Sequence, residues 1–344
     1  MTKKLIKTIF IVDDSDTNLS MAEAALEEQY LIMTMPSASG MFALLNKVKP
    51  DLILLDIEMP EMDGFEALQK LKSDEKLADI TVMFLTGRTD EEVEVHGFEM
   101  GAIDFVTKPF SAPVLLNRVK THLDIDELIR ERTSQLHRLQ NSIVSVLADM
   151  VEHRDKGTGS HIERTSIYIR ILIEAMKERK VYYDEIEQWD VDKIISSARM
   201  HDLGKISITD IIVNKPDKLT DDEYELMKTH AVEGERIIDE IISKTGEGEF
   251  LRNARLFAGC HHERWDGKGY PRGLKGEDIP LQGRIMAIVD VYDALVSERP
   301  YKKAFTDEEA VKIITENAGI HYDPKIVNVF SDVKDLFKAV RAGL

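Results

Sequence analysis

At 344 residues, with 43% hydrophobic and 31% charged side chains, the chain is long enough for about two domains with cores of their own. A formal net charge of −18 argues against broad electrostatic binding to nucleic acid or an anionic membrane. Cys260 is the one cysteine, which excludes a disulfide framework, a Cys-rich zinc site and a redox pair.

Lys3, Lys4 and Lys7 precede an apolar run at 9–12, but Asp13 and Asp14 cut it too short for a leader. No apolar stretch reaches membrane-spanning length, so a cytoplasmic protein is expected. Residues 1–122 then alternate in pattern. Short apolar runs at 9–12, 31–35, 52–55, 82–85 and 103–107 are spaced by helical patterns near 17–28, 38–48, 63–73, 90–100 and 111–122. That alternation predicts a parallel sheet covered on both faces, with ligands beyond the carboxyl ends of the strands. Asp13 and Asp14 follow the first run, Asp56 the third, Thr86 the fourth and Lys108 the fifth. Three converging carboxylates repel one another unless a cation sits among them, and oxygen ligands suit Mg²⁺. Lys108 adds a positive donor for an incoming phosphoryl group.

These residues resemble the receiver domain of two-component response regulators. Phe105 three before Lys108, the Lys108-Pro109 pair, and Gly64 in Met59-Pro60-Glu61-Met62-Asp63-Gly64 belong to the same match. The resemblance implies a flavodoxin-like, doubly wound, five-stranded sheet over 1–122. It also implies that a sensor histidine kinase phosphorylates Asp56, that Asp13 and Asp14 help hold Mg²⁺, that Thr86, Phe105 and Lys108 form the switch, and that Lys108–Pro109 is cis.

From Ile125 the positions Ile129, Arg132, Leu136, Leu139, Ile143, Val146 and Met150 alternate in steps of four and three, with no Pro or Gly between them. This predicts one long connecting helix over 123–150. Its heptad stripe suits a parallel homodimer, although a helix lying on its own core would carry the same pattern.

Residues 151–344 are helical in pattern, with loops expected at 155–160, 206–220, 244–249 and 263–283. His201-Asp202 closes a helix begun near Val191 and leads into Leu203-Gly204-Lys205; His161, His230, His261 and His262 add further imidazoles. Asp290 and Asp293, three apart, point to one helical face. Imidazole and carboxylate without thiolate suit Fe, Mn, Co or Zn rather than a structural zinc knot, and one carboxylate can bridge two ions. Two ions about 3.5–4 Å apart can activate a shared water and stabilise an in-line displacement at phosphorus. His96, His122, His137, His153 and His321 read as ordinary surface or core residues, and Cys260 as a small buried hydrophobe. Trp265 suits guanine stacking or loop packing equally.

His201-Asp202-x-Gly204-Lys205, His230, His261-His262 and Gly269-Tyr270-Pro271 resemble the HD-GYP subclass of HD-superfamily phosphohydrolases. Asp155, Thr158, His161 and Arg164 extend the match before them, and Asp290, Asp293, Arg299 and Lys302 after. The resemblance implies an all-α domain over 151–344 that hydrolyses cyclic di-GMP to linear pGpG, with GMP as a further product left open. Its implied metal ligands are His161, His201, Asp202, His230, His261, His262 and Asp290, with Asp202 bridging. Lys205 would neutralise the scissile phosphate, oriented by Asp293, while Tyr270, Arg299 and Lys302 would contact substrate. Gly157 stands where some members carry a glutamate for a third ion, so two are expected, Fe or Mn ahead of Zn, Co or Ni. Two other readings stay open: an HD phosphohydrolase acting on another cyclic dinucleotide or nucleotide, and a non-catalytic module that binds the messenger.

Overall fold

The computed structural model describes residues 6–87, 91–154, 161–297 and 304–343. Two compact units, Met1–Gln135 and Leu136–Leu344, divide the chain. In the first, strands β1 (Thr8–Val12), β2 (Leu31–Met35), β3 (Leu52–Asp56), β4 (Thr81–Thr86) and β5 (Asp104–Thr107) form a parallel sheet of order β2-β1-β3-β4-β5. Helices α1 (Asp16–Leu26), α2 (Ala38–Leu45), α3 (Gly64–Ser73) and α4 (Glu91–Glu99) alternate with the strands.

The apolar runs read as strands because both sheet faces are covered. Phe10, Val12, Ile53, Leu55, Val82 and Phe84 point into one core, while Ile9, Ile11, Leu52, Leu54, Met83 and Leu85 point into the other. Each strand thereby feeds two cores with alternate residues. The expected doubly wound α/β fold is the one observed, and each strand lies within a residue or so of its apolar run. Local chemistry fixes the entry to α3, where Asp63 accepts from the Glu66 N–H at 2.8 Å and Glu66 reaches back to the Asp63 N–H.

Helix α5 (Ala112–Arg154) joins the helix expected near 111–122 and the connecting helix expected over 123–150 into one uninterrupted element. Past Pro113 nothing in its sequence breaks a helix. Leu115, Val119 and Leu123 are buried in a core of the first unit, and Val144, Ala148 and Val151 are buried in the second. Ile129, Leu136, Leu139, Ile143, Val146 and Met150 are exposed. The heptad stripe therefore faces outward, and a different face of the helix packs.

Helices and connecting loops, with no strand longer than an isolated bridge among the described residues, make up the second unit. Its helices are α6 (His161–Glu178), α7 (Tyr183–Ile186), α8 (Val191–Ala198), α9 (Asp210–Val213), α10 (Asp221–Lys228), α11 (His230–Thr245), α12 (Glu249–Cys260), α13 (Leu281–Val296), α14 (Asp307–Glu316) and α15 (Pro324–Gly343). Tyr168, Leu172, Phe257, Ile285, Tyr292, Phe330 and Phe337 anchor its main core. Three expectations need correcting. The 206–220 loop contains α9, the 263–283 loop contains a 3₁₀ turn at Gly276–Asp278, and α8 ends at Ala198. His201 and Asp202 therefore stand past the helix end, before a 3₁₀ helix at Leu203–Ser207. Gly204 makes this path feasible: a Cβ there would lie 1.9 Å from the His230 carbonyl oxygen and 2.4 Å from the Gly234 nitrogen.

Candidate active site

Helix ends deliver most of the ligand candidates. His161 opens α6, His230 opens α11, and His261 and His262 follow the last turn of α12. Asp290 comes from the middle of α13. Ligand atoms of His230, His261 and His262 lie within 4.8 Å of one another, as do those of His161, His201 and Asp290. Asp202 stands between the two groups. Its Oδ2 is 3.3 Å from His201 Nε2, and its Oδ1 is 3.5 Å from His230 Nε2 and 3.8 Å from His261 Nε2. One carboxylate thus presents a different oxygen to each group.

Backbone carbonyls orient the imidazoles. His201 Nδ1 donates to Ala198 O at 2.9 Å, His230 Nδ1 to Met227 O at 2.7 Å, and His261 Nδ1 to Phe257 O at 2.9 Å and Ala258 O at 3.0 Å. Each such bond leaves Nε2 as a bare lone pair. The Nε2 atoms of His230 and His261 then face each other at 3.2 Å, and His201 Nε2 is buried without a hydrogen-bond partner. Buried acceptors without donors are costly, and a cation among them removes the cost. The donor set fits divalent metal ions.

Electrostatics agree. Burial, followed by the neighbouring His201 and His230, holds His261 down to about 3. Burial, with His261 and His230 beside it, holds His262 well below its ordinary value, and burial also lowers His230. These imidazoles stay neutral, the form that ligates metal. His161 differs: burial lowers it, but the Asp293 hydrogen bond and the Asp290 and Asp293 charges outweigh this and raise it. For Asp202, burial pushes upward, yet Lys205 and His201 hold the carboxyl well below the usual range.

The hydrogen bonds of Asp293 include His161 and Arg164. Its Oδ2 lies 2.8 Å from His161 Nδ1, and Arg164 donates to both its oxygens, from Nε at 2.6 Å and Nη2 at 2.8 Å. Asp293, 1% exposed, therefore orients His161, while Lys205 Nζ sits 2.8 Å from Asp202 Oδ2. Three residues of helix separate Asp290 from Asp293 by about 4.5 Å along the axis, enough to place one at the metal cluster and the other beneath His161.

Above the ligands opens a cavity of about 670 Å³, lined among others by Lys205, Asn214, Tyr224, His262, Tyr270 and Asp290. Its size suits a nucleotide-like ligand. Tyr270 lies 4.7 Å from the His262 ring, with Lys228 Nζ 5.6 Å from the Tyr270 centroid. The loop that carries Tyr270 is organised by Glu263, 3% exposed, whose carboxylate accepts the Arg272 N–H at 2.7 Å and the Leu274 N–H at 2.9 Å. Sequence reasoning gave Glu263 no role, because a Glu in a Gly/Pro loop reads as solvated. Trp265 is not among the described cavity-lining residues; its backbone N–H donates to the His321 carbonyl oxygen at 3.1 Å, within loop packing. Cys260 is buried as expected, and a Cβ on Gly283 would lie 2.8 Å from its own, so α12 and α13 approach closely there. Asp155, Gly157, Thr158, Arg299 and Lys302 lie outside the described residues.

The first unit carries its own acidic cluster. Ligand oxygens of Asp13, Asp14 and Asp56 lie within 4.8 Å of one another. Lys108 Nζ is 2.6 Å from Asp13 Oδ2 and 2.8 Å from Asp56 Oδ1. Burial raises the Asp56 carboxyl despite the lowering effect of Lys108. Lys108–Pro109 is cis, Thr86 is buried at the end of β4, and Phe105 is buried 5.0 Å from the Phe98 ring and 5.4 Å from Phe84.

The family model for the response regulator receiver domain matches residues 9–120, and that for the HD domain matches 145–326. A probable cyclic di-GMP phosphodiesterase of Vibrio cholerae is 40% identical over 338 residues, spanning 94% of this chain and 77% of that protein. The cyclic di-GMP phosphodiesterase response regulator RpfG of Xanthomonas campestris is 36% identical over 292 residues, spanning 81% of this chain and 74% of that protein. The 3'3'-cGAMP-specific phosphodiesterase 2 of Vibrio cholerae is 36% identical over 209 residues, spanning 61% of this chain and 38% of that protein. With a receiver over its first third and an HD domain over half its length, the chain belongs to the family of HD-domain response regulators.

Proposed function

We propose that the chain is a response regulator whose HD domain hydrolyses cyclic di-GMP to linear pGpG, under control of phosphorylation at Asp56. The observation that carries this reading is Asp202, with one oxygen toward His201 and the other toward His230 and His261, at the floor of the cavity that Lys205 and Tyr270 line. His161, His201 and Asp290 would hold one divalent ion and His230, His261 and His262 another, with Asp202 shared. When bound, such a pair supplies Lewis acidity and a water nucleophile at neutral pH.

The protein's own groups do the rest. Lys205, beside Asp202, is placed to offset charge that builds on the phosphoryl oxygens. Asp293 fixes the His161 ring. Tyr270 gives the cavity a flat aromatic wall, and burial raises its hydroxyl so that it stays protonated. Arg299 and Lys302 are retained as phosphate-binding residues on the strength of the sequence match alone. Iron or manganese is the preferred metal, Mg²⁺ the receiver's ion, and a sensor histidine kinase the phosphodonor. The cytoplasm is the proposed location; no described helix is long and apolar enough to cross a membrane. The exposed heptad stripe of α5 supports a parallel homodimer.

A second reading replaces cyclic di-GMP by a mixed cyclic dinucleotide, as the similarity to the 3'3'-cGAMP-specific phosphodiesterase 2 of Vibrio cholerae favours. One assay separates the two. Metal-loaded protein is incubated with cyclic di-GMP and with 3'3'-cGAMP, products are resolved chromatographically, and Asp202→Ala serves as control. Linear pGpG from wild type alone is expected. Binding without product refutes the enzyme, and product from Asp202→Ala refutes the metal site.

A further inference from the structure

The last turn of α5 touches both flanks of the histidine cluster. Glu152 Oε1 accepts the backbone N–H of His161 at 3.0 Å, which satisfies a free amide at the start of α6. Two residues on, Arg154 grips the stretch just past Lys205. Its Nη1 donates to Ile206 O at 3.1 Å, its Nη2 to Ile208 O at 3.1 Å, and Nε and Nη2 to Asp210 Oδ1 at 3.1 and 2.7 Å. Val151, on the same turn, is buried with Val144, Met200 and Leu203 in one small core. Val151 and Glu152 also line the cavity.

These contacts read as placement more than as stability. The Arg154 and Asp210 side chains are 35% and 71% exposed, and ion pairs that open to solvent add little to folding. A guanidinium fork spanning two nearby carbonyls does fix the path of a segment, which a single ammonium could not. The segment so fixed begins with the 3₁₀ helix Leu203–Ser207, directly after Asp202 and containing Lys205.

We propose that Glu152 and Arg154 are positioning residues through which α5, the helix that begins in the receiver, sets the placement of His161, Asp202 and Lys205. A shift or rotation of α5 on phosphorylation of Asp56 would move the two flanks of the cluster relative to each other. The idea deepens the phosphodiesterase reading and rests on it for its kinetic test, though not for its spectroscopic one.

The test uses the full chain as wild type, Arg154→Ala, Arg154→Lys, Asp210→Asn and Glu152→Gln, each loaded with Co²⁺, with and without beryllofluoride. The absorption spectrum of bound Co²⁺ reads ligand geometry without substrate; kcat and KM on cyclic di-GMP are measured in parallel. Beryllofluoride is expected to change both the spectrum and kcat of wild type. Arg154→Ala should lose that response and drop kcat by up to about 10²-fold at unchanged KM, the scale of a misplacement of about 1 Å. Arg154→Lys, which keeps the charge without the fork, should recover only part of it. Asp210→Asn, at an exposed position, should fall between, and it carries the test with Glu152→Gln if Arg154→Ala does not fold. A wild-type spectrum that ignores beryllofluoride overturns the proposal, as does an Arg154→Ala chain with wild-type kcat and response. Absence of cyclic di-GMP turnover in wild type would remove the phosphodiesterase reading, while the cobalt spectra would still decide this one.

Discussion

His230 and His261 hold their Nε2 atoms 3.2 Å apart, with both Nδ1 hydrogens given to backbone carbonyls. Two buried lone pairs in that arrangement repel until a cation separates them. Metal binding should therefore stabilise the HD unit directly. At a free ion concentration a hundred times Kd the gain is about 2.7 kcal/mol, a rise in Tm of roughly 5–10 °C for a domain of this size. Thermal melts with Mn²⁺ and with a chelator check this, and coincident curves would contradict it.

Asp293 is predicted to act on metal affinity through His161. Asp293→Asn keeps the shape but weakens the hydrogen bond to His161 Nδ1 and leaves the Arg164 guanidinium without its carboxylate. Loss of an outer partner of this kind lowers metal affinity about 10–100-fold, and breaking a buried pair costs about 3–5 kcal/mol at the upper end. Isothermal titration with Mn²⁺ measures the first and denaturant unfolding the second. Wild-type affinity in Asp293→Asn would remove Asp293 from the metal site.

Gly204→Ala tests the close approach of the 3₁₀ segment to α11. The added methyl would meet the His230 carbonyl oxygen and the Gly234 nitrogen, backbone atoms that cannot swing aside. Overpacking of this sort costs about 1–3 kcal/mol or more, and the backbone that must yield carries a ligand. The variant should bind less metal than wild type at equal protein and lose turnover. Normal metal content would show that the segment has slack.

Cys260 should be a silent thiol. Burial pushes it up to about 11, so the thiol form dominates below that pH and the reactive thiolate is scarce at pH 8. Alkylation in the native protein should run orders of magnitude slower than in denaturant, and turnover should survive it. Fast native labelling would show that α12 opens near His261.

Much of this was readable in the chain. The strands stood out because a sheet covered on both faces demands nearly unbroken apolar runs, as at 52–55 and 82–85. Histidines and aspartates capable of ligating metal were legible by type, and the cluster gathers them. What escaped was partnership across long separations. Asp293 meets His161 from 132 positions away, and Arg154 meets Asp210 from 56, distances over which no helical or strand period carries information. Glu263 escaped because its burial arises only when the loop closes on it. The helices expected near 111–122 and over 123–150 are one for the opposite reason: nothing in the chain breaks α5 between them.

Central to this account is Asp202 as a carboxylate shared by a pair of divalent ions that cleave cyclic di-GMP. Electron paramagnetic resonance of the Mn²⁺-loaded protein, with metal content and product formation measured on the same samples, tests it most directly. The account predicts a spin-coupled Mn²⁺ pair and pGpG from wild type, and neither coupling nor product from Asp202→Asn. A wild-type protein holding a single ion or two uncoupled ones, or an Asp202→Asn variant that keeps coupling and turnover, would contradict it.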